Sequence, residues 1–204
     1  MHVRRGQSSG LILIRQKTLN DMAIVRERGC TVCVGRILLS VLSGFMIPMT
    51  SSAVVKVGDI PSGVAGIDAA GHEIHLDDYK GKIVLLSFFA SWCAPCREEL
   101  PTLEKIQKLL GKDKIEVIVV DWQESSPTYH RIRRALSSYT LTFARDENGD
   151  VGEAFSVDSL PRLYIIDRQG KVAFVHEGYS DASIDSLAAE LNALLGISQP
   201  GTAQ

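Results

Sequence analysis

A chain of 204 residues holds one ordinary domain plus a leader, or at most two small domains, and 45% apolar with 23% charged residues describes a soluble protein with a real core. The net charge of −2 is unevenly spread: residues 1–53 carry seven basic side chains against Asp21 and Glu27, leaving 15 basic and 22 acidic side chains in 54–204. An acidic body excludes a general nucleic-acid-binding role, which calls for a basic patch. Four cysteines, in the CxxC pairs Cys30/Cys33 and Cys93/Cys96, are too few in a chain this long for a disulfide-stapled scaffold.

Taken in chain order, the first feature is a leader. Ile37–Met49 is an uncharged apolar run of 13 residues with Pro48 near its end, preceded by Arg26, Arg28 and Arg36 and followed by Ser51-Ser52-Ala53. That is the order of a secretory signal, with cleavage expected after Ala53. A membrane-spanning helix needs about 20 apolar residues, so a retained anchor, extended by Val32 and Val34, is the second reading. The stretch upstream of Arg26 is long for a signal, and Met22 is an alternative start to Met1. Cys30 and Cys33 then fall in a segment that export removes.

From 54 to 204 the sequence reads as one domain. Val64–Asp68 and His72–Leu76 read as a hairpin across Ala69-Ala70-Gly71. Ile83–Phe89 (IVLLSFF) is a central strand covered on both faces. A helix follows from about Cys93 to Leu110, with Pro95 in its first turn, a kink expected at Pro101, and Leu100, Leu103, Ile106, Leu109 and Leu110 as its buried stripe. Ile115–Val120 is a second buried strand. Pro127–Tyr139 is a helix capped by Ser126, Asp146–Gly149 a turn, and Gly152–Phe155 a helical turn or two. Leu163–Asp167 and Val172–His176 form a hairpin, and Ser183–Leu195 is a closing amphipathic helix with Ile184, Leu187, Leu191, Leu194 and Leu195 inward. This order predicts an α/β thioredoxin fold: a central mixed sheet with helices on both faces and an added N-terminal β-hairpin.

The chemistry concentrates in Ser91-Trp92-Cys93-Ala94-Pro95-Cys96. Cys93 lies where a buried strand gives way to a helix, and the unpaired N–H groups of a helix N-terminus stabilise a thiolate. At such positions a thiol pKa falls from about 8.5 to between about 3.5 and 7.5, which makes Cys93 the nucleophile. Cys96, one turn on, is placed to attack the Cys93 mixed disulfide and release the substrate. Trp92 is placed to shield the pair and to pack beside a docked substrate.

The segment from about Val54 to Leu195 resembles the TlpA/ResA-like family of extracytoplasmic thioredoxin-fold reductases. The resemblance is carried by Phe88-Phe89-Ala90-Ser91-Trp92-Cys93-Ala94-Pro95-Cys96-Arg97-Glu98-Glu99-Leu100-Pro101, by Phe155–Pro161 and by Tyr164–Lys171. It implies that Pro161 is the cis-proline beside the dithiol, with the backbone of Leu160 pairing with a substrate strand. It implies that Glu99 is the acid near the active site. Since the strand position that is acidic in thioredoxin is Ser87 here, Glu99 is the candidate to exchange protons with Cys96. Arg162 departs from the Thr common after this proline, and beside the dithiol it would favour the thiolate and select acidic or polar substrates. The resemblance also implies no cofactor beyond the Cys93–Cys96 pair and no metal. It implies secreted or membrane-attached protein clients such as apocytochrome c, an electron supply from a membrane thiol-disulfide transporter, and a location in the periplasm or on the outer face of the cytoplasmic membrane.

Four rival chemistries stand beside the reductase. A disulfide-donating oxidase shares the motif, and the absence of an inserted helical domain before Pro161 weighs against it. A copper-binding assembly chaperone on the same fold uses CxxxC and a downstream His, whereas His176 here follows CxxC spacing. A thiol peroxidase needs Thr-x-x-Cys where Ala90-Ser91-Trp92-Cys93 stands. Zinc bound by both CxxC pairs is disfavoured by the distance between them.

Overall fold

The computed structural model describes residues 54–61 and 63–197; the expected leader, its cleavage site and Cys30/Cys33 lie outside the described residues. The elements are β1 (Val64–Ile67), β2 (Glu73–His75), a 3₁₀ turn (Leu76–Tyr79), β3 (Ile83–Phe89), α1 (Ala94–Leu110), β4 (Ile115–Trp122), α2 (Ser126–Ala135), β5 (Thr142–Asp146), α3 (Asp150–Ala154), β6 (Arg162–Ile166), β7 (Val172–Glu177) and α4 (Asp181–Leu195). Seven strands form one mixed sheet in the order β2-β1-β5-β4-β3-β6-β7. β3, β4 and β5 are parallel, and β6, β7, β1 and β2 join antiparallel. Among the described residues no helix is long and apolar enough to cross a membrane.

The period-2 alternation of the strands divides the core into two layers. Ile83, Leu85 and Phe89 of β3 with Val117 and Val119 of β4 pack against Leu100 and Leu103 of α1, Tyr129 and Ile132 of α2, and Leu187 and Leu191 of α4. Both cysteines belong to this layer. Val84, Leu86 and Phe88 face the other way, onto Phe155, Val157, Tyr164 and the N-terminal hairpin. There Phe88, Phe155 and Tyr164 meet with ring centroids 4.9 to 6.1 Å apart, and Tyr164 Oη donates to the Phe155 carbonyl. Two glycines are required by contact: a Cβ on Gly152 would lie 2.2 Å from Trp122 Nε1, and one on Gly66, at φ +128, 2.7 Å from Ala144 Cβ.

Several sequence expectations are corrected. β5 has no counterpart among the expected elements; its lone large apolar residue, Phe143, gives no run, and pairing with β4 and β1 makes it a strand. β4 runs two residues further than expected, through the buried Asp121. α2 starts one residue earlier, with Ser125 as its N-cap, and ends at Ala135 rather than Tyr139. α4 begins at Asp181, closed by a Ser180–Ser183 capping box. α1 continues through Pro101 as one helix. Leu109, expected in its buried stripe, is 79% exposed, and Glu104 and Gln107 are buried instead. Their side chains accept from Thr140 N–H (2.9 Å) and Val117 N–H (2.7 Å), backbone donors that a leucine would leave unpaired.

Candidate active site

β3 delivers the chain to the site and α1 carries it away. Cys93 is the N-cap of α1 and Pro95 sits in the first turn, where its missing N–H costs nothing. Cys93 and Cys96 are joined as a disulfide, with the Cys93 Sγ also accepting from Cys96 N–H at 3.2 Å. Cys93 is 5% exposed and Cys96 fully buried, so the first sulfur is the one a partner reaches. Trp92, immediately before it, is 66% exposed. The peptide bond Leu160–Pro161 is cis. Leu160 packs against the layer that contains both cysteines, and the Pro161 carbonyl accepts from Gly178 N–H.

Glu99 lies one helical turn beyond Cys96, and its neighbours on the sheet decide its state. It is 4% exposed, and Ser87 Oγ, from the middle of β3, donates to its Oε2 at 2.7 Å. Burial pushes its pKa up to about 7, with the Ser87 bond opposing part of that rise. A carboxyl at that value takes or gives a proton near neutrality, one helical turn from the buried Cys96.

Arg162 does not join the dithiol. It stands opposite Phe88 across β6 and β3, and side chains of directly opposed residues share a face, so it lies on the side of the sheet away from Cys93 and Cys96. Its guanidinium is held by Asp158 (2.6 Å) and Glu177, which fits its burial at 7% exposure. The charge expected to favour the thiolate is spent on those two carboxylates. His176, the residue weighed for copper, points from β7 to Glu190 with Nε2 and Oε2 2.6 Å apart.

A further residue of the site carries no motif signature. Glu124, in the loop after β4, accepts from Ser91 N–H (2.5 Å) through one carboxylate oxygen and from Ser91 Oγ (2.6 Å) through the other. Arg97 Nη1 donates to the Ser91 carbonyl at 2.7 Å. Every polar group of the residue two before the nucleophile is thereby held. The only available sequence signal was an acid just past a buried strand that ends beside the CxxC strand. Beside this turn an apolar groove opens, lined by Phe89, Arg97, Leu100, Ile132, Leu136 and Tyr139.

A model of the Redoxin family matches residues 56–191. The chain is a ResA-like member of the Redoxin family. It is 30% identical over 131 residues to the thiol-disulfide oxidoreductase ResA of Geobacillus kaustophilus, a match covering 63% of this chain and 74% of that protein. It is 38% identical over 111 residues to the thioredoxin-like protein YneN of Bacillus subtilis, covering 53% of this chain and 64%, just under two thirds, of that one. Among solved structures, a candidate thiol:disulfide interchange protein DsbE from Chlorobium tepidum superposes with a TM-score of 0.61 at 28% identity, covering 70% of this chain and 99% of that one. The exposed lipoprotein thioredoxin of Streptococcus pneumoniae gives a TM-score of 0.53, also at 28% identity, covering 66% and 100%. The thioredoxin fold and the thiol-disulfide oxidoreductase class read from the sequence are those of these relatives, and Cys93–Cys96 is the pair that carries the exchange.

Proposed function

We propose that this protein works outside the cytoplasm as a dithiol reductase of secreted or membrane-attached proteins, with the cysteines of apocytochrome c as the leading client. The observation that carries the reading is the buried Glu99–Ser87 pair one turn from Cys96. In the reduced enzyme the Cys93 thiolate attacks a client disulfide, forming a Cys93–client bond and expelling one client thiolate, which takes a proton from solvent. Cys96 gives its proton to the Glu99 carboxylate and attacks the Cys93 sulfur. The Cys93–Cys96 disulfide closes, the second client thiolate leaves, and two electrons have passed to the client. A membrane-borne dithiol partner would then return the enzyme to its reduced form.

The exposed Trp92, the apolar groove beside the Ser91 turn and the Leu160–Pro161 backbone support docking of an extended client segment. Export is supported by the basic residues and apolar run of the leader, residues 1–53, ahead of the single domain read over 54–204. The test is a single turnover in which the reduced full chain meets a disulfide-bonded peptide containing CxxCH. The expected result is one equivalent of peptide dithiol and one Cys93–Cys96 disulfide. A reduced peptide that instead becomes oxidised by the disulfide form, with no reaction in the forward direction, would make this a disulfide donor.

A further inference from the structure

Asp121 is the buried titratable group that the exchange reaction leaves unused. It is the seventh residue of β4, 1% exposed, in register with Phe89 of β3 on one side and Arg145 of β5 on the other. Neither of its carboxyl oxygens meets a donor. Of the nearby cations, Arg145 lies 3.4 Å from Glu147, Arg97 of α1 is bonded to Ser91, and Arg133 of α2 stacks 4.4 Å over the Phe143 ring with its Nη1 buried and not bonded to Asp121. Tyr129 of α2 faces the same region and donates its hydroxyl to the Phe143 carbonyl. After burial, the neighbour that raises the proton affinity of Asp121 is the Glu124 carboxyl, three residues on.

Two carboxylates are both acceptors and meet only across a proton. Glu124 needs its negative charge where it is, because both its oxygens accept from Ser91. Each oxygen has a second lone pair, so Glu124 can take one more donor. Charge on Glu124 and a proton on Asp121 is therefore the arrangement that lets the two carboxyls meet while Glu124 keeps both bonds to Ser91.

We propose that Asp121 and Glu124 share one proton and together act as the positioning pair of the nucleophile, fixing the Ser91-Trp92-Cys93 turn from behind while Arg97 fixes it from the front. This rests on the reading of Cys93 as the attacking sulfur. Burial and the neighbouring Glu124 charge hold the Asp121 proton up to about pH 8. Below that value the pair carries one negative charge and grips Ser91. Above it two adjacent carboxylates repel, and the grip on the turn loosens. Small displacements of a reacting group cost large factors in rate, so the pair matters for closure of the Cys93–Cys96 bond.

The test starts in the oxidised full chain, where neither cysteine titrates. The Ser91 amide proton, followed by NMR, is expected to shift with a midpoint of about pH 8. D121N is expected to abolish that transition and E99Q to leave it in place, which separates it from the titration of Glu99. A Ser91 resonance that does not titrate, or that titrates alike in D121N, overturns the shared proton. In the reduced chain carrying a glutathione mixed disulfide on Cys93, E124Q is expected to slow ring closure by Cys96 about tenfold. Closure of E124Q at the wild-type rate overturns the positioning role. Failure of the wild type to form the mixed disulfide would defeat the nucleophile assignment instead, and the amide titration still decides the proton.

Discussion

Two buried acidic sites flank the dithiol, and they are built on opposite principles. Glu99 sits on the same helix as the cysteines, touched by one neutral donor, Ser87, and burial raises its proton affinity against the opposing pull of that bond. Asp121 and Glu124 come from β4 and the loop behind it, and there burial raises the affinity of Asp121 first and a second carboxyl adds to the rise. The first site is placed to move a proton to and from Cys96. The second holds its proton in place and uses the remaining charge to grip the backbone. The contrast teaches that a raised carboxyl affinity is not by itself a catalytic role; what the carboxylate oxygens touch decides.

The largest effect separates the sulfurs from both acids. C93A is expected to abolish exchange, a loss of at least about a thousandfold, whereas C96A should accumulate a Cys93–client disulfide visible on non-reducing gels. Next comes E99Q, expected to lower single-turnover resolution by about a hundredfold and to remove the ionisation near pH 7 from its rate profile. A wild-type profile in that variant would leave the two acids with no functional difference.

Stability against pH sharpens the same comparison. Both Glu99 and Asp121 have folded-state affinities raised above those of the unfolded chain, so the native state binds more protons between the two values. Their contribution is complete below the unfolded values of 4.5 and 3.8 and is lost as pH rises through about 7 and about 8. Denaturant titrations of the oxidised chain should therefore show stability falling across that window, with E99Q removing about 3 kcal/mol of the total fall. The smallest effect belongs to R162A. With its partners Asp158 and Glu177 largely exposed, the variant should cost about 1 kcal/mol in chemical denaturation and leave Cys93 alkylation against pH unmoved.

Much of this was legible because the informative residues are contiguous. IVLLSFF, IEVIVV and the spacing of Leu100 and Leu103 report burial directly, and CxxC at a strand-to-helix junction reports its chemistry. Glu99 was legible through the resemblance, as the acid three residues past Cys96 in the family's motif. Asp121 and Glu124 were not, because a charged residue normally ends a buried strand, and the Ser91 that Glu124 holds lies 33 residues back along the chain. Arg162 misled for the converse reason: adjacency to Pro161 in sequence says nothing about which face of β6 it occupies. β5 and the burial of Glu104 and Gln107 depend on backbone groups of other elements, which no local pattern records.

The measurement that tests the central claim most directly is the reduction potential of the Cys93–Cys96 couple, followed by Trp92 fluorescence in equilibrium with a thiol buffer. A reductase requires a value near or below the roughly −270 mV of thioredoxin. A value near the roughly −120 mV of strong periplasmic oxidants would contradict it and make the same pair a donor of disulfides.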